Sequence, residues 1–254
     1  MLISRQKRFL FVHIQKTAGR SLSHTLEASV PDLQSFLGTH DTALQARQWL
    51  GAETYDSFFT AAFVRNPWDR LVSWYTMIVQ KSARRPWWWK LFGRHRYQLW
   101  RYVVRNSRSF EEFVLRCTAE IDDGDGLKSF CRNQVDYLVD ERGRPIVDFV
   151  GRFEYLDSDA RRLFRRLGLV GVRLPHINPS HHHHYSAYYS DELAEVVRRR
   201  YARDIDAFGY EFVRWDEPGG GRDLPGRQPS VARIPHLRDE SVSTMPIEPP
   251  EQNM

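Results

Sequence analysis

The chain has 254 residues, 37 Lys and Arg against 32 Asp and Glu, a formal net charge of +5 and a pI near 9.3. An apolar content of 41% supports a packed core and excludes a wholly disordered chain. No apolar run approaches the ~18 residues of a membrane-spanning helix, and no signal-peptide stretch follows Arg5, Lys7 and Arg8, so the expectation is a soluble, cytoplasmic protein.

In chain order, residues 8–14 read as a buried strand, being short, apolar and rich in aromatic and β-branched residues. Residues 15–21 form a small polar loop with Gly19, and a helix then runs to about Ser29, stopped by Pro31. Residues 42–50 read as a short helix with Gly51 as its stop. Residues 58–64 are a second buried strand. Asn66-Pro67-Trp68-Asp69 starts a helix, with Asn66 as N-cap, Pro67 in the first turn and Asp69 closing a capping box. Leu71, Trp74, Tyr75 and Ile78 supply its apolar face. Residues 146–153 resemble a third core strand, and 158–167 and 191–208 read as helices. Strands alternating with helices predict an α/β fold with a mainly parallel sheet, in one domain over residues 1–215. Cys117 and Cys131 make neither a disulfide framework nor a zinc pattern and read as core thiols. Residues 216–254 hold seven of the 13 prolines and the Gly219-Gly220-Gly221 run, so the tail reads as disordered.

Two strand-to-helix junctions carry the chemistry. In the first, Ile14-Gln15-Lys16-Thr17-Ala18-Gly19-Arg20-Ser21 leaves a strand and enters a helix. Small residues let backbone N–H groups converge, and the helix N-terminus adds partial positive charge, a combination that binds phosphate-like anions. It is not a Walker A loop, since Leu10 and Gln15 stand where that motif needs glycine. Taken alone, it reads equally well as an ordinary turn with a surface lysine. In the second, Arg65 sits at a strand end, where α/β sheets place their ligands, and Arg70 and Ser73 fall three apart on one helix face. Its bland alternative is a capped helix with surface arginines. Two cationic junctions at one sheet edge suit a ligand with two separated anionic groups.

These two segments resemble the signatures of sulfotransferases that use 3′-phosphoadenosine 5′-phosphosulfate (PAPS). Residues 14–21 are similar to the family's 5′-phosphosulfate loop, and Phe63-Val64-Arg65-Asn66-Pro67-Trp68-Asp69-Arg70-Leu71-Val72-Ser73-Trp74-Tyr75 to its 3′-phosphate segment. The branch resembled is that of carbohydrate sulfotransferases related to heparan sulfate 2-O-sulfotransferase, including short bacterial members. Asn133-Gln134-Val135-Asp136-Tyr137-Leu138, Val150-Gly151-Arg152-Phe153-Glu154, residues 175–180 and residues 201–210 extend the resemblance, which covers roughly residues 8–213. It departs at Gln15, where the family loop usually has proline, and at Arg20, where it has a small hydroxyl residue.

The resemblance implies a P-loop-NTPase-like sulfotransferase fold, a central mainly parallel sheet flanked by helices. It implies PAPS as co-substrate, with no metal. Lys16 then meets the 5′-phosphate and the bridging oxygen as charge develops there, and the amides of Thr17, Ala18, Gly19, Arg20 and Ser21 hold the same phosphate. Arg65 and Ser73, with Arg70, hold the 3′-phosphate. The base expected for the acceptor hydroxyl is His40: it precedes a short helix whose N-terminus disfavours imidazolium, and related enzymes place a histidine between their phosphate motifs. A structural helix-entry role is the alternative.

Residues 181–184, four histidines, read as a solvated loop at the site rim, with an acceptor or donor contact as the alternative, rather than a metal site. Residues 81–108 hold nine Lys and Arg, no acidic residue, and Trp87, Trp88, Trp89 and Trp100. This basic insertion suits an anionic membrane surface or a polyanionic acceptor, and equally a helical insertion packed on the core. The acceptor expected from the family branch is a carbohydrate or glycolipid hydroxyl, and nucleic acid is not an expected partner. The competing classes are an ATP-dependent kinase, which the loop sequence disfavours, and a non-enzymatic polyanion- or nucleic-acid-binding protein, which leaves two phosphate-type junctions unexplained.

Overall fold

The computed structural model describes residues 1–83, 98–119, 129–175 and 183–215. Most of the basic insertion, His181, His182 and the tail from 216 onward lie outside the described residues.

A five-stranded sheet organises the chain in the order β3-β1-β2-β4-β5. Its strands are β1 (Leu2–Ser4), β2 (Phe9–Val12), β3 (Gln34–Ser35), β4 (Phe59–Val64) and β5 (Phe149–Arg152). The centre is parallel: Val12 of β2 faces Ala62 of β4, and Val64 of β4 faces Arg152 of β5. β1 and the edge strand β3 add on antiparallel and were not foreseen from sequence. They are two or three residues long, too short for a periodic signal; β1 adds to the open side of β2, and β3 to the open side of β1. The strands expected over 8–14 and 146–153 shorten to β2 and β5, because their ends turn into loops at the sheet edge.

Side chains alternate across the sheet, and both faces are buried, as a parallel sheet covered by helices requires. Phe9, Phe11, Ala61 and Phe63 pack with Leu22 and Leu26 of α1 (Gly19–Ser29) and with Leu163 and Phe164 of α7 (Leu156–Arg166). Leu10, Val12, Ala62 and Val64 belong to the larger cluster on the other face. That face is covered by α2 (Ala43–Leu50), α3 (Ala52–Asp56), α4 (Pro67–Ala83), α5 (Gln98–Asn106), α6 (Phe110–Glu112), α8 (Asp191–Arg200) and α9 (Ala202–Phe208). Cys117 and Cys131 are buried in this cluster and are not joined in a disulfide. No helix among the described residues is long and apolar enough to cross a membrane.

Helix ends follow local chemistry with two departures. Thr42 and Gln45 form a full capping box on α2, and Gly51, at φ 81°, ends that helix. Asn66 caps α4 by accepting from the Trp68 amide at 3.0 Å, as its sequence predicts. Asp69, however, does not close a capping box. Its carboxylate takes Arg65 Nε at 2.7 Å, and the Asn66 amide donates to Glu154 Oε1 instead, because both partners arrive from elsewhere in the fold. The single helix expected over 191–208 is two, α8 and α9, broken at Tyr201, whose hydroxyl is drawn inward to the Phe130 carbonyl at 2.7 Å.

Candidate active site

Parallel neighbours β2 and β4 end at the same sheet edge, so the loops that follow them, carrying Lys16 and Arg65, are neighbours too. Between Val12 and α1 the backbone turns sharply. Lys16 (φ 70°) and Ala18 (φ 63°) adopt the left-handed conformation that non-glycine residues rarely occupy. Alternating turns of this kind aim successive N–H groups into one concavity, and such strain is kept where a site needs it. No side chain caps α1, and its first turn holds no acidic residue, so the partial positive charge of the helix end is left unanswered. The Thr17 hydroxyl points inward to the Ile14 carbonyl at 2.9 Å, leaving its backbone as the part facing the loop.

Gly19 opens α1 against the ring of His13. A Cβ there would stand 2.0 Å from His13 Cδ2, so no larger residue fits without moving the imidazole.

Lys16 is held by soft partners. Its Nζ lies 3.5 Å from Met77 Sδ, a weak acceptor, and 6.0 Å from the centroid of Trp74. No carboxylate among the described residues pairs with it. Burial lowers its pKa to about 7, reinforced by the positive charges of Arg65, Lys81 and Arg20. An anion arriving here favours the charged form of this amine, which no carboxylate among the described residues pairs.

Arg65 is 3% exposed. Its Nε bonds Asp69, Nη1 donates to the Lys16 carbonyl at 3.3 Å, and the guanidinium lies 3.8 Å over the Phe153 ring. Those two bonds use Nε and Nη1, and no bond to Nη2 is made among the described residues. Ser73 lies further along α4, also buried. Arg70 is put to a use the sequence did not suggest. It is 1% exposed, and its Nε, Nη1 and Nη2 donate to the carbonyls of Gln15, Arg132 and Ser129 at 3.1, 3.0 and 3.3 Å. Instead of facing the ligand edge beside Ser73, it ties the first loop to the segment after residue 128.

His40 lies between the two motifs, half-buried, with Nδ1 2.9 Å from the His13 carbonyl. The two imidazoles meet edge to face at 4.8 Å. Burial lowers the His40 pKa against the raising effect of the His13 bond, so the ring is neutral at pH 7. The backbone nitrogen of Met1 donates to the carbonyls of Gly38 and Thr39 at 2.7 and 3.0 Å, fastening the His40 loop to β1.

The sulfotransferase family model matches residues 1–211, the whole described body but its last few residues. The chain belongs to the sulfotransferase family. Sulfuryl transfer is therefore its class of activity. Neither the curated proteins nor the solved structures yield a match.

In this sulfotransferase a cleft of about 350 Å³ opens beside His13. One wall is a stripe of α1, Arg20, Ser23, His24 and Glu27, and the other includes Ser35 and Thr39, the neighbour of His40. Arg20 thus lines this cleft as well as belonging to the first loop. Several contributors were missed in sequence. Gln15 and Tyr137 meet through a 2.9 Å bond from the phenol to Gln15 Oε1, and Gln134 pairs with the backbone of Arg65. The Asn133–Leu138 motif was the available signal, but its partners lie more than a hundred residues away or on another strand end. His183 and His184 lie among the described residues, where His184 accepts from the Ser186 amide at 3.3 Å and stacks on Tyr185 at 4.4 Å.

Proposed function

We propose that the chain moves a sulfuryl group from PAPS to an acceptor hydroxyl, with His40 as base and Lys16 as the cation at the leaving oxygen. The observation that carries this reading is the bond from Arg65 Nη1 to the Lys16 carbonyl, which joins two cationic subsites at adjacent strand ends. PAPS supplies an activated sulfuryl group and two separated phosphates, the ligand such a pair suits. The amides of Thr17 to Ser21 and Lys16 meet the 5′ end, and Arg65 with Ser73 meets the 3′-phosphate. Arg70 supports both from behind. Fixed dipoles and cations in a partly buried site stabilise developing charge without reorganising. His40 accepts the proton of the attacking hydroxyl through Nε2.

The acceptor enters the cleft beside His13. Ser23, Ser35, Thr39, His24, Arg20 and Glu27 offer hydrogen-bonding groups, with Met1 and Leu2 as an apolar patch, a mixed lining that suits the hydroxyls and faces of a carbohydrate acceptor. The chemistry asks for no metal, because lysine, arginine and amides neutralise the donor. The working location is the cytoplasm, with any membrane contact made through the basic residues of 81–108.

The test is incubation of the full chain with ³⁵S-labelled PAPS and a panel of glycans, glycolipids and phenols, with release of 3′-phosphoadenosine 5′-phosphate (PAP) followed in parallel. Label on a glycan supports the reading. Turnover of ATP with no label transferred from PAPS overturns it.

A further inference from the structure

β4 ends at Val64, which pairs with Arg152 of β5, and the next residue leaves the regular ladder. Arg65 nevertheless finds a partner for both its backbone groups in one buried side chain. Gln134 Oε1 accepts from the Arg65 amide at 2.9 Å, and Gln134 Nε2 donates to the Arg65 carbonyl at 2.8 Å. The carboxamide thus replaces a strand neighbour. Its second amide hydrogen goes to Asp204 Oδ2 at 3.2 Å, while Asp204 Oδ1 takes the Val135 amide at 2.9 Å. Gln134 and Asp204 are both 0% exposed. With an acceptor required toward Arg65 N–H and donors toward a carbonyl and a carboxylate, only an amide satisfies all three directions.

Arg65 in turn reaches the Lys16 carbonyl, so the backbone setting of Arg65 decides how far its guanidinium stands from the first loop. We infer that Gln134, anchored by Asp204, is a positioning residue that sets the spacing between the two anion subsites, and thereby the preference for a nucleotide with a 3′-phosphate. This rests on the donor reading above. Gln134 does not touch the nucleotide; it acts through Arg65. Without it, two buried backbone groups lose their partners and the strand end relaxes toward other ones.

The experiment measures binding of PAP and of 5′-AMP, which lacks only the 3′-phosphate, to the full chain by titration calorimetry. The variants are Gln134→Leu and the milder Asp204→Asn, with thermal midpoints recorded alongside. Wild type is expected to prefer PAP. Gln134→Leu is expected to lose roughly tenfold in PAP affinity while its AMP affinity is unchanged, and Asp204→Asn to shift in the same direction by less. If Gln134→Leu does not fold, Asp204→Asn carries the test. A preference for PAP that survives in the folded variants overturns the inference, as does an equal loss for both nucleotides. A wild-type chain that does not distinguish PAP from AMP overturns the donor reading, and this inference with it.

Discussion

The imidazole of His40 hangs from the backbone carbonyl of His13, with Nδ1 and the carbonyl oxygen 2.9 Å apart. A carbonyl only accepts, so Nδ1 carries the proton and Nε2 keeps its lone pair. The same His13 presses its ring against Gly19, the first residue of the helix behind the anion loop. The proposed base and the proposed anion loop therefore share one contact residue, which follows β2.

His40→Ala is expected to lower turnover by ~10²–10⁴-fold while PAP still binds, because in the proposed reaction the ring serves the acceptor and not the nucleotide. The wild-type rate should fall on the acid side as His40 takes up its proton. That limb is expected below the ordinary histidine range, since burial lowers this group. Initial rates across pH, with PAP titrations of the variant, check both. Near-normal turnover in His40→Ala removes His40 from the mechanism.

Lys16, lowered to about 7 by burial, is partly neutral in the free protein at neutral pH. An anionic ligand favours the ammonium and raises its pKa. Affinity for PAP should therefore be full below pH 7 and decline as pH rises above it, with proton uptake on binding near pH 7–8. Calorimetry in buffers of different ionisation enthalpy reads the protons directly. Lys16→Ala should lose the uptake together with donor affinity and rate, and unchanged donor kinetics in this variant would remove Lys16 from its role.

The Tyr137–Gln15 bond explains a residue that departs from the family loop. Gln15 is 8% exposed and its Oε1 accepts from the Tyr137 hydroxyl, a partner a proline would not need. Tyr137→Phe leaves that oxygen unpaired and should cost about 1–3 kcal/mol of stability. In a Gln15→Leu background the same change should cost much less. Denaturant unfolding of the four proteins gives the coupling, and additive effects would show that the pair is not an energetic unit.

The α/β class, the two central strands, the capped start of α4 and the two cationic junctions were legible in the sequence because each is written in adjacent residues. A run of buried β-formers marks a strand, Asn66-Pro67 marks a helix start, and Lys16 and Gly19 lie within one turn of each other. Such signals need no knowledge of what lies across the fold.

What only the tertiary structure decided lies between segments distant in the chain. Arg65 and Arg70 look alike in sequence, yet one lies beside the Lys16 loop with no bond to Nη2 among the described residues, and the other is spent on three buried carbonyls. Asp69 answers Arg65 instead of its own helix end, and Gln134 becomes a strand neighbour from 69 residues away. Buried polar groups must find partners, and the partner is whichever atom packing brings within reach. Sequence by itself thus determined the kind of chemistry this sulfotransferase holds, while packing chose which charges stay available to perform it.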